Sequence, residues 1–155
     1  PAFTHHPGST LPRLEREGAS MTVIAGDAWG VRSPVEVLSR TLYVDVRLPR
    51  GAELALPDDH VERAAYVVAG QLEEGDEAYG EGDMVVFRTG AEARVRALVD
   101  THVVLFGGDP VGPRLVEWNF VASSPERLAK ARKDWKEQVF PKIPGDDQEF
   151  IPLPG

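Results

Sequence analysis

His60 and Glu62 lie inside a glycine frame whose spacing belongs to metal-binding β-barrels. The frame is G-x5-H-x-H-x3-E-x6-G. Gly51 opens it and Gly70 closes it, but the ligand positions hold Pro57, Asp59 and Arg63. A second frame, G-x5-P-x-G-x2-H-x3-N, fits Gly82, Arg88, Gly90, Ala93 and Ala97, with Ala93 at its histidine position. A metal in such a barrel needs about four inward donors drawn from several strands. His60 and Glu62 share strand parity, so both are expected to face inward. No third or fourth donor is visible, because His102 is remote and the second frame offers Ala93. Two ligands hold an ion weakly, and the plainer reading is a polar pair at the rim of a barrel.

The other chemistry-bearing residues read as scaffold. His5 and His6 are neighbours in a proline-rich stretch, where adjacent side chains of an extended chain point opposite ways. A linker contact suits them better than a shared ion. The acidic pairs Asp58-Asp59 and Glu73-Glu74 sit beside turn residues and are expected to be solvated, although paired carboxylates can do acid–base work when burial separates them. Asp146-Asp147 follows Pro144-Gly145, where aspartate serves a turn. Tyr66, Trp118 and Phe120 fall on expected strands and read as core packing rather than a ligand pocket. G-x-S-x-G and the phosphate-binding glycine patterns do not occur.

Composition narrows the classes further. The 155 residues suit one domain with a real core. The absence of cysteine excludes disulfides, thiolate chemistry and cysteine-held metal, and is compatible with the cytoplasm expected here. A net charge of −8 argues against nucleic acid. The one dense basic stretch, residues 127–136, is interrupted by Asp134 and reads as a solvated helix face. Apolar runs such as residues 103–106 are too short to span a bilayer, and no signal-peptide pattern opens the chain.

The elements that must position these residues are short strands. Residues 21–25 form an apolar run ended by Gly26-Asp27. Leu42, Val44, Val46 and Leu48 alternate with Tyr43, Asp45 and Arg47, the pattern of a half-buried strand. Further strands are expected from Leu54 and Leu56, at 64–68, 84–87, 91–99 and 103–106, and a last one over 115–121. Gly75-Asp76 and Gly80 to Asp83 are turn clusters. Strands without intervening helices imply an antiparallel barrel or sandwich. One helix is marked by Ser124 as cap, Pro125 at its first position and Glu126 in its first turn, with Leu128, Ala131, Trp135 and Val139 on one face. The tail beyond Pro141 is too rich in proline for regular structure, yet it carries Phe150, Ile151 and Leu153.

The two frames are cupin motifs in degenerate form, and the rest of the chain resembles the pirin family. The marks are Gly107-Gly108-Asp109-Pro110 with Gly112-Pro113, Trp118-Asn119-Phe120-Val121, Ser123-Ser124-Pro125-Glu126-Arg127, Val139-Phe140-Pro141, and a close of Phe150-Ile151-Pro152-Leu153-Pro154. Ile24-Ala25-Gly26, Ser33-Pro34 and the run from Arg63 to Gly70 add to them. The resemblance implies a bicupin, two β-barrels in tandem, with this chain as linker plus C-terminal barrel. It implies one Fe(II) in the N-terminal barrel, held by three His and one Glu. None of these can be carried onto this sequence, so no catalytic, cofactor-binding or metal-ligating residue is assigned here. The implied roles are quercetin 2,3-dioxygenase activity on a flavonol-like small molecule, or iron-dependent regulation through a protein partner.

The fold expected is therefore all-β: a cupin-type (RmlC-like) antiparallel barrel or jelly roll with one C-terminal helix and an irregular tail. Residues 1–40 are expected as an entry segment with a short strand, 41–122 as the degenerate barrel, 123–140 as the helix. Residues 141–155 are expected as a tail docking on another domain or subunit. The partner implied is the N-terminal cupin, with no nucleic acid and no membrane.

Overall fold

The computed structural model describes residues 4–143, 145 and 147–154. Pro144 and Asp146, named above for turn geometry, lie outside the described residues, as does Pro1. Two compact units divide the chain, one over His5–Pro110 and one from Val111 onward.

The first unit is a two-sheet antiparallel body. Its larger sheet runs β1 (Arg13–Arg16), β2 (Ala19–Ala28), β4 (Thr41–Leu48), β11 (Thr101–Gly108), β6 (Glu62–Ala69) and β9 (Met84–Val86), with β3 (Val31–Arg32) paired to β2. The smaller runs β5 (Glu53–Ala55), β10 (Arg94–Ala97), β7 (Gln71–Glu74) and β8 (Glu77–Gly80). This is the expected cupin jelly roll. Alternation in β4 buries Leu42, Val44, Val46 and Leu48, as its sequence pattern requires. Their registered neighbours Val103 and Leu105 from β11, and Val67 and Ala65 from β6, are buried with them. Leu54, Leu72, Val95 and Ala97 of the smaller sheet complete the core. Burying each valine contributes about 1.5–3 kcal/mol relative to exposure, so this one cluster supplies most of the drive to close the sandwich.

Where the structure departs from expectation, tertiary pairing is the reason. The entry segment contributes three strands, and β2, at ten residues, is interior to the large sheet. Its polar positions Ser20, Thr22 and Asp27 hide its length from a pattern search. Gly75-Asp76 is the turn of a hairpin, β7–β8, whose strands are largely polar and whose second strand ends at Gly80. Tyr66, expected in the core, faces solvent at 40% exposure because β6 buries Ala65 and Val67 on its other face.

Ile24-Ala25-Gly26 and Ser33 turn out to be one device. The β2–β4 register slips between Val23 and Ala25, a bulge that takes Ile24 out of the ladder. The Ser33 hydroxyl donates to the Ile24 carbonyl at 2.7 Å. The frame glycines Gly51, Gly70, Gly82 and Gly90 all take positive φ; at Gly70 a Cβ would also lie 2.6 Å from the Asp100 carbonyl oxygen.

The second unit holds the hairpin β12 (Leu115–Glu117) and β13 (Phe120–Ala122) and the helix α1 (Pro125–Lys136). The single strand expected over 115–121 is broken because Trp118 takes φ 52° and turns the chain. Helix α1 starts as expected, the Ser124 hydroxyl accepting from the Arg127 amide. It ends four residues before its expected limit. Gln138 takes φ 53°, its amide donating to Trp135 O at 3.1 Å and that of Val139 to Asp134 O at 2.8 Å, which closes the helix in a Schellman turn. No helix among the described residues is long and apolar enough to cross a membrane.

Candidate functional site

Arg63 is the residue on which the degenerate frame converges. It sits early in β6 and is buried, with 3% exposure. Its Nη1 donates to the Pro57 carbonyl at 3.1 Å and its Nη2 to the Ala91 carbonyl at 2.5 Å. The first bond closes the first frame on itself, and the second joins it to the loop of the second frame. The β6 and β9 backbones lock this arrangement, with the Phe87 amide donating to Arg63 O at 2.9 Å. No carboxylate of the described residues lies within 4.0 Å of the guanidinium.

A cleft of about 480 Å³ opens beside these residues. Arg16, Trp29, Leu56, Pro57, Arg63 and Ala93 are among its walls, and Asp58 and Glu92 stand at exposed positions beside them. Trp29 is fixed by its indole N–H, which donates to Ala55 O at 3.2 Å. The frame positions thus do gather at one place, Pro57, Arg63 and Ala93 together. Asp59 does not join them: it is exposed, and its carboxylate accepts from Arg40 at 2.7 Å.

His60 and Glu62 do not share a side. Glu62 is exposed at the start of β6, correcting the expected inward pair, while His60 is 2% exposed. The strand begins only at Glu62, so parity counted from His60 has no meaning. His60 Nε2 lies 2.8 Å from the Asp27 carbonyl and therefore carries the proton donated to it. Its Nδ1 is buried without a partner. Asp27 Oδ2 and Asp59 Oδ1 lie 4.0 and 3.8 Å from Nε2. This is the one group of three metal-capable side chains among the described residues. Arg40 already spans its two carboxylates, at 3.6 Å from Asp27 and 2.7 Å from Asp59, so a cation is in place there. Sequence reasoning missed Asp27 and Arg40 because β-pairing, not spacing, brings them to His60.

Elsewhere, His102 and Asp45 meet at 2.5 Å across β11 and β4. Glu73 pairs with Arg96 at 3.9 Å. Trp118 and Phe120 are not barrel core. They belong to an aromatic cluster with Trp135 and Phe140 in the second unit, Trp118 meeting Trp135 edge-on at 5.3 Å. Phe150 of the tail stacks on Trp135 at 5.6 Å, and the Trp135 indole N–H donates to Ile151 O at 2.8 Å.

Residues 43–141 match the model of the pirin C-terminal cupin domain. The chain belongs to the pirin family. A pirin-like protein of Caulobacter vibrioides is 46% identical over 99% of this chain and 54% of its own length. Pirin of Rattus norvegicus is 27% identical over 88% of this chain and 50% of its own. In three dimensions, quercetin 2,3-dioxygenase from Acinetobacter baumannii superposes with a TM-score of 0.80 at 28% identity, covering 94% of this chain and 50% of that one. The chain spans about half the length of the curated relatives it matches. The residues of this pirin domain do not fit a cupin metal. Of its four ligand positions, two carry no side-chain donor, one carries a buried cation, and Asp59 is committed to Arg40.

Proposed function

We propose that this pirin C-terminal cupin is the metal-free, structural half of a two-barrel protein, and that it completes the body of that protein around an Fe(II)-holding N-terminal cupin. The observation that carries the reading is Arg63. A guanidinium stands where the frame calls for a carboxylate ligand, and it bonds to the carbonyl of Pro57, itself a ligand position. A cation already buried there would repel an arriving ion.

The surface proposed to meet the N-terminal barrel is the tail. Ile143 and Ile151 are 66% and 68% exposed, and Phe150 is exposed beside them in sequence. Large apolar side chains left in water on an irregular segment suit a covered interface. Co-expression of the two halves as separate chains tests this. Ending the C-terminal half at residue 144 is expected to weaken their association, and unchanged association would count against it.

A second reading concerns the intact protein. The likeness to the Acinetobacter enzyme supports an iron-dependent dioxygenase acting on a flavonol. In that case the intact protein with Fe(II) consumes O₂ and bleaches quercetin, and this domain alone does neither. A regulatory protein partner, with no turnover, is the outcome if quercetin is untouched. The same reading puts the intact protein in the cytoplasm, which cell fractionation checks.

A further inference from the structure

We propose that the cleft beside Arg63 is a binding site for a small carboxylate with a flat apolar body. The inference stands apart from the role as a structural half, because every residue of the site lies in this chain. A buried charge is costly unless it is paired and its hydrogen-bonding groups are used. Arg63 is buried, yet no described carboxylate lies within 4.0 Å and its two bonds to protein go to neutral carbonyls. A guanidinium has five N–H groups in a planar fork that matches a carboxylate. Donors therefore remain, on a wall of a cleft that can admit a ligand.

The cleft has the dimensions of a ligand site, and its walls mix charged with apolar side chains. About 480 Å³ lies within the range of small-molecule pockets. Leu56, Pro57 and Ala93 supply apolar wall, and the indole of Trp29, held by its bond to Ala55, supplies a flat one. Arg16, also on the wall, has no carboxylate partner among the described residues. Against these stand Asp58 and Glu92, both exposed, whose charges water screens more than it screens the buried guanidinium. Arg16 is exposed as well, so the charge of the lining that water screens least is the buried guanidinium of Arg63, and it favours an anion. The cleft thus carries a buried guanidinium on its wall at a position where the frame calls for a carboxylate.

The probe is benzoate titrated into this chain, followed by the indole N–H resonance of Trp29, which Trp29→Phe assigns. Benzyl alcohol, the neutral analogue of the same shape, is the control. Benzoate is expected to saturate that resonance and to bind roughly tenfold tighter than benzyl alcohol, the worth of a charge-assisted bond. Arg63→Met is expected to remove this preference. Should that variant fail to fold, Glu92→Gln at the exposed edge reads the same field and is expected to tighten benzoate by about twofold. Equal binding of the two probes, or no saturation at tens of millimolar benzoate, overturns the proposal. So does a Glu92→Gln variant that binds benzoate no better.

Discussion

Arg63 and Pro57 occupy two ligand positions of one metal frame, and the side chain of the first is hydrogen-bonded to the backbone of the second at 3.1 Å. A hydrogen bond ties the two frame positions together directly. Six residues apart in sequence, they close the same loop that an ion would otherwise close.

The Arg63 bonds hold two buried-side carbonyls, Pro57 O and Ala91 O. Arg63→Met should leave both without a donor and lower stability by about 2–4 kcal/mol. Urea denaturation measures it. A loss within experimental error of zero would mean that water replaces the guanidinium freely.

Tight metal binding is not expected. Zinc or Fe(II) titrated calorimetrically into this chain should give no stoichiometric micromolar site. The carboxylates nearest His60 are held by Arg40, and His60 Nε2 is engaged by the Asp27 carbonyl. A tight site abolished by His60→Gln would overturn the metal-free reading.

Gly107, near the end of β11, has no room for a side chain. A Cβ there would stand 2.0 Å from Glu62 O and 2.8 Å from Glu62 C, which are backbone and cannot step aside. Gly107→Ala should force β11 and β6 apart and cost roughly 4 kcal/mol or more. Thermal melting would record it, while alanine at Gly8, where nothing lies within 4 Å and φ is ordinary, meets no such obstacle.

The Trp135 indole tethers the tail at Ile151 O. Trp135→Phe keeps a ring for Phe150 to stack on and removes only the donor. The expected cost is about 1 kcal/mol, together with faster amide exchange in the tail, seen by hydrogen-exchange mass spectrometry.

At the start of α1, the carboxyl of Glu126 is held below its ordinary 4.5, first by a hydrogen bond from its own amide and then by Ser124. A lowered value in the folded state means stabilisation that is present above about 4.5 and lost as pH falls through the folded value. Helix α1 should therefore fray at acid pH. Ser124→Ala should raise the Glu126 titration toward its ordinary range and cost the helix about 1 kcal/mol through loss of the cap. The carboxyl carbon shift of Glu126 against pH checks both.

Legibility followed how local the cause was. Leu42, Val44, Val46 and Leu48 announce their strand because side chains alternate across a pleat whatever lies beyond it. Ser124 and Pro125 announce a helix start, since a cap acts within three residues. The frame glycines could be read because positive φ is a property of one residue, and their spacing is legible whatever residues stand between them. The end of α1 was misjudged because Gln138 carries no sign that it will turn left-handed. Strand β2 was underestimated because its pairing with β4 joins residues distant in sequence, from Gly26 with Leu42 to Ser20 with Arg47.

The amino-acid order by itself settled the fold class, the family and which residues occupy the frame positions, since each depends on residue type and short-range spacing. Which side chains meet was decided only in three dimensions. Antiparallel pairing and sheet closure carried Asp27 and Arg40 to His60, set Glu62 outside, and left Arg63 inside with carbonyls for company. Burial and charge balance at a point are sums over distant segments, and no stretch of sequence contains that sum.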